Sequence, residues 1–125
     1  MELQSYKQQI FFMVNILVDE GYAYDVLAIC KVKCIKNLLN CNENFNVINV
    51  SLKNQLLELH EEIISSSEYS DLVNANIETF DAVEQARYGT ISAKEVDDLN
   101  MKRFICKKNL QLKFFPKSII LEQKS

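Results

Sequence analysis

ISAKEVDDLNMKRFICKKNLQLKFFP, residues 91–116, carries both ends of a helix in its own letters. Ser92 and Glu95 make the S-x-x-E capping box, in which each side chain accepts from the other residue's backbone amide. Ile91 and Val96 take the two positions of a hydrophobic staple. Apolar positions at Val96, Leu99, Cys106 and Leu110 run on until Pro116, which lacks the amide proton a helix interior needs. The reading is a helix over 92–115 and a tail over 116–125, whose Ile119, Ile120 and Leu121 fold back against a helix.

Working outward, Gly89 is a C-terminal glycine for a preceding helix over 68–88, with Val73, Ile77, Phe80 and Val83 toward the core. These two segments make an antiparallel hairpin. Ser65, Ser66 and Ser67 separate them from a helix over 51–64, N-capped by Ser51 and striped by Leu52, Leu56, Leu59 and Ile63. The asparagine-rich stretch from Asn40 to Asn49 reads as a loop. Before it, Leu27, Cys30, Cys34, Leu38 and Cys41 recur at helical spacing and predict a helix over 25–39. Leu3, Tyr6, Ile10, Met13 and Leu17 predict another over 3–20, ended by Gly21 in the left-handed conformation. The expectation is one all-α domain over 1–125, an antiparallel bundle of four or five helices with a C-terminal helical hairpin.

Composition agrees. In 125 residues, 48% of them apolar, there are two glycines and one proline, too few turn residues for a β-sandwich and enough apolar mass for a core. Net charge is −3, which gives nucleic-acid binding no whole-chain support. The most apolar run, Ile10 to Val18, contains Asn15 and meets Asp19 and Glu20, so no membrane span is expected. Glu2, Lys7 and several glutamines before that run do not make a signal peptide. A cytoplasmic protein with reduced thiols at Cys30, Cys34, Cys41 and Cys106 is expected.

Several polar residues beside the stripes form a pattern. Asp25, Leu27, Ile29, Val32 and Lys33 come first, then Asn76, Phe80, Glu84 and Arg87, then Asn100, Arg103, Lys107 and Leu110, and finally Glu122, Lys124 and Ser125. The pattern resembles a family of small bacterial and phage helical proteins, a domain of unknown function whose members end in Glu-x-Lys-Ser-Tyr. The resemblance covers roughly the last hundred residues. Phe80 stands where tryptophan is usual, Val83 replaces an acid, the terminal tyrosine is missing, and the segment between Arg87 and Asn100 is shorter. It implies an all-helical fold and brings no activity. In the hairpin, Asn76, Glu84 and Arg87 lie across from Asn100, Arg103 and Lys107. They are expected to form a structural polar network that fixes register, the alternative being an anion pocket built on Arg87, Arg103 and Lys107.

Glu58-x-x-Glu61 followed by Glu78-x-x-Asp81 is similar to the carboxylate signature of all-helical nucleoside triphosphate pyrophosphohydrolases, which hold magnesium on two antiparallel helices. At about 100° per residue, however, Glu58 and Glu61 point roughly 130–170° away from the Leu52, Leu56, Leu59 and Ile63 stripe. Glu78 lies opposite its own stripe as well. A solvated acidic face is the expectation, and magnesium is confined to the enzymatic alternative.

Cys30, Cys34 and Cys41 share an apolar stripe and read as small core hydrophobes, since no tight C-x-x-C knuckle offers a zinc site and none supports a redox pair at Cys30 and Cys34. His60, the single histidine, reads as a boundary residue. Charge is uneven: only acids occur from Glu58 to Glu84, while Lys102, Arg103, Lys107, Lys108, Lys113 and Lys117 are spread around the last helix. That spread suits pairing within the chain or between protomers better than a nucleic-acid face. No cofactor is expected. The role read from these features is a non-catalytic intracellular interaction or assembly protein that works through helix surfaces, as a homo-oligomer or with a helical partner.

Overall fold

The computed structural model describes residues 16–118. Five helices, with no strand among the described residues, form the bundle: α1 (Glu20–Ile35), α2 (Cys41–Leu56), α3 (Glu58–Ile64), α4 (Ser67–Arg87) and α5 (Ala93–Phe114). The predicted first helix falls mostly on residues outside the described range. Of the part that is described, residues 16–19 are not helical and Glu20 instead opens α1.

Asp19 explains where the chain turns helical: its carboxylate accepts the Tyr22 amide at 2.7 Å and N-caps α1. Gly21, expected to end a helix, instead sits buried in the first turn of α1. A Cβ there would lie 3.0 Å from Gln111 Oε1 and 3.2 Å from the Lys107 carbonyl oxygen, so glycine permits α1 and α5 to approach closely. The Gly21 amide donates to Gln111 Oε1, and the Gln111 amide group donates to Glu20 at 2.7 Å.

The stretch read as a loop at Asn40–Asn49 is helical from Cys41 onward. Asparagine has a low helix propensity, but Cys41, Phe45, Ile48, Leu52 and Leu56 recur at helical spacing beneath the asparagines and pack toward the core. Ser51 is therefore interior to α2 rather than an N-cap. The helix predicted to span 51–64 is broken at Leu57, whose φ of 56° and ψ of −126° divide α2 from α3.

Ser66 caps α4 through the Tyr69 amide at 3.1 Å. At its far end Gly89 takes φ 73°, and the Thr90 amide returns to the Gln85 carbonyl at 3.1 Å, closing a Schellman turn. The Ser92–Glu95 capping box then starts α5 as its sequence predicts. The helix ends at Phe114, two residues before Pro116.

The core gathers Tyr24, Leu27, Ala28, Leu52, Ile63, Tyr69, Leu72 and Leu110 from all five helices. On α4 the buried face is Tyr69, Leu72, Ala75, Asn76, Thr79 and Ala82, not the expected stripe. Val73, Ile77 and Phe80 lie at its flank, and Val83 is exposed. Beyond Tyr69 and Leu72, small and polar side chains line the rest of this face, where α4 packs against both α1 and α5.

Candidate functional site

α1, α4 and α5 meet around a buried carboxylate. Asp25 lies at mid-helix in α1, accepts from Asn76 Nδ2 at 2.9 Å and pairs with Arg103 Nη2 at 3.1 Å. Asn76 also donates to the Leu72 carbonyl at 3.0 Å, and Arg103 Nη1 reaches Asn100 Oδ1 at 3.3 Å. Asp25 is thus held from α4 and α5 at once, and the Arg103 guanidinium is fixed between Asp25 and Asn100. Three of the six predicted network residues, Asn76, Asn100 and Arg103, are brought together in this way.

Asp25 is the member that the sequence reading missed as a partner. A helix read over 25–39 makes it a first-turn residue, where an acid is ordinary. Once Asp19 is seen to cap α1, Asp25 becomes an acid within an apolar helix face, and that is the signal that would have found it.

A groove of about 270 Å³ opens beside the cluster, lined by Ile29, Phe80 and Val83 and by the polar Asn76, Thr79, Glu84, Arg87 and Arg103. Glu84 and Arg87 line it without joining the hydrogen bonds around Asp25. Lys107 does not belong to it. Its ammonium is 5.4 Å from the Phe104 ring centroid and 5.9 Å from that of Tyr22, and the residue is buried. Of the three cations of the anion-pocket alternative, Arg87 and Arg103 share the groove, with Arg103 paired to Asp25, and Lys107 lies apart.

The four acids of the enzymatic alternative are dispersed. Glu58 is exposed, Glu61 lies 3.8 Å from Lys53, Glu78 lies 2.8 Å from Lys102, and Asp81 lies 2.5 Å from Lys36. Among the described residues, no three His, Cys, Asp or Glu side chains are placed to hold one metal ion. The bridge from Glu78 to Lys102, and another of 3.0 Å from Glu68 to Lys113, span α4 and α5. Opposed charges in the hairpin therefore meet within the chain. The partnering lysine holds the Glu68 carboxyl below its ordinary range, and the Glu78 contact raises the Lys102 ammonium.

His60 differs most from its expectation, being 1% exposed rather than at a boundary. Nε2 lies 2.7 Å from Asn49 Oδ1, and Nδ1 lies 2.7 Å from the Tyr24 hydroxyl. Because a carbonyl oxygen only accepts, these partners assign the proton to Nε2 and make Nδ1 the acceptor for Tyr24. Burial depresses the imidazole below its ordinary value, with Glu61 opposing and Lys53 assisting. The same burial, with Tyr69 and Glu61 nearby, holds the Tyr24 phenol protonated far above its ordinary range. The chain Asn49–His60–Tyr24 ties α2, α3 and α1 together, and Tyr69 packs edge-on to Tyr24 at 6.3 Å.

All four cysteines are free thiols, with Cys30 and Cys41 buried and Cys34 and Cys106 half-buried. None of the described helices is long and apolar enough to cross a membrane. No protein-family model, curated protein or solved structure matches the chain.

Proposed function

We propose that this is an intracellular, non-catalytic assembly protein that associates with a second copy of itself through the outer face of α5. The observation that carries the reading is a line of uncovered apolar side chains. Met101, Ile105 and Leu112 fall within about 40° of one another on the helix, and all three are exposed. Lys108, the exposed polar residue on that line, can cover apolar surface with its own stem.

Charge supports an antiparallel arrangement. Asp97 is exposed near the N-terminal end of α5, next to an Asp98 that pairs with Lys94 of the same helix at 3.0 Å, and Lys117 is exposed just past its C-terminal end. Two α5 helices related by a two-fold axis lay the acidic end of each beside the basic end of the other, and place Met101 beside Leu112. Opposed helix dipoles favour the same orientation.

Light scattering across a wide concentration range tests the reading. A mass rising from monomer to dimer supports it. A strict monomer at the highest concentration removes self-association.

A further inference from the structure

The α1–α2 turn brings two thiols together from separate helices. Cys34 lies in the last turn of α1 and Cys41 is the first residue of α2, and the tight turn between them leaves Cys41 near enough to help raise the Cys34 thiol. The backbone between them is held in place. The Asn37 amide donates to the Cys34 carbonyl at 3.1 Å, the Leu38 amide to Lys33 at 3.0 Å, and the Cys41 amide to Leu38 at 3.2 Å. Asn37 and Asn40 take the left-handed conformations that fold the chain back, which asparagine tolerates better than most residues. Cys34 is half-buried and within reach of a small reagent, whereas Cys41 is buried.

We propose that Cys34 and Cys41 are a reversible dithiol, oxidised by low-molecular-weight disulfides to an intramolecular disulfide that ties α2 to α1. The Cys34 thiolate attacks one sulfur of the small disulfide, forming a mixed disulfide and expelling one thiolate. The Cys41 thiolate then attacks Cys34 Sγ, forming the internal S–S bond and expelling the second. The two protons lost by the protein thiols are taken up by the two leaving thiolates. The protein gives up two electrons, and the small disulfide is reduced to two thiols.

Cys30 is not the partner. It sits one turn before Cys34 on the same helix, where Cβ vectors run side by side rather than toward each other. Burial and the Cys41 and Cys30 thiols raise the Cys34 thiol above its ordinary value, with Lys31 opposing, so exchange is slow near neutrality and quickens as pH rises.

The test uses the full chain, reduced, freed of reductant and incubated anaerobically with glutathione disulfide, then mapped by mass spectrometry without reduction. The expected product is a peptide pair linked through Cys34 and Cys41, with two hydrogens lost from the intact mass and full reversal by dithiothreitol. Circular dichroism before and after establishes that the protein stays folded. In Cys41→Ser, the mixed disulfide at Cys34 should accumulate instead. A wild-type protein that stalls as the glutathione adduct, links Cys34 to Cys30, or leaves Cys34 unreacted overturns the proposal.

Discussion

Arg103 on α5 and Asp25 on α1, 78 residues apart in the chain, hold Nη2 and Oδ2 at 3.1 Å with the carboxylate buried. A buried ion pair adds little net stability over an apolar replacement, but breaking one side of it leaves a charge with no solvent. The two single substitutions should therefore be unequal. Arg103→Ala leaves Asp25 buried with Asn76 as its remaining donor and should cost about 2–4 kcal/mol. Asp25→Asn leaves a half-buried guanidinium that water can reach, and should cost about 1–2 kcal/mol. Urea unfolding of both variants checks the order.

His60 makes stability depend on pH. Its folded-state value is depressed while the unfolded chain keeps the ordinary value of about 6.5, so below that pH the unfolded state binds more protons. The contribution is fully present above about pH 6.5 and is lost as pH falls toward the folded-state value. The urea midpoint of the wild type should therefore drop between pH 7.5 and 5.5. In His60→Gln, at lower overall stability, that drop should be smaller. Equal slopes would show that another group titrates there.

Leu57 stores strain at the α2–α3 break. Its φ of 56° with ψ of −126° is a region that favours glycine, and its side chain is 68% exposed, so little packing is at stake. Leu57→Gly should stabilise the protein by about 1 kcal/mol, after the flexibility glycine adds to the unfolded chain is subtracted from the strain relieved. Thermal denaturation would register this as a higher Tm.

Two glycine-to-alanine changes should destabilise for different reasons. At Gly89 a Cβ meets nothing within 4 Å, so Gly89→Ala costs only the left-handed backbone, about 1 kcal/mol. Gly21→Ala gains helix propensity but presses its methyl against the Lys107 carbonyl and Gln111, and should lose about 1–3 kcal/mol net. Only the second should also disturb α1–α5 packing, visible as altered amide shifts at Lys107 and Gln111.

The hairpin was legible because its signals are local. Ser92, Glu95 and Gly89 each satisfy backbone groups a few residues away, and such chemistry does not depend on the rest of the fold. α2 was hidden because asparagine propensity and the packing of Phe45, Ile48 and Leu52 pull in opposite directions, and tertiary contact wins. The inner face of α4 was misread for a related reason. Ala75, Thr79 and Ala82 are buried by the closeness of their neighbours, whereas hydrophobicity alone points to Val73, Ile77 and Val83. Within the candidate site, Asn76, Asn100 and Arg103 were visible as polar residues of the hairpin. Their anchor Asp25 was not, since only the fold brings α1 against both arms.

Sedimentation velocity on two single variants tests self-association through α5 most directly. Ile105 on α5 is 49% exposed and Val47 on α2 is 53% exposed, so a glutamate at either position is tolerated alike by the monomer. The wild type and Val47→Glu should both sediment as a concentration-dependent monomer–dimer mixture, while Ile105→Glu stays monomeric at every concentration. A dimer that survives Ile105→Glu, or a wild type that never leaves the monomer, would contradict the account.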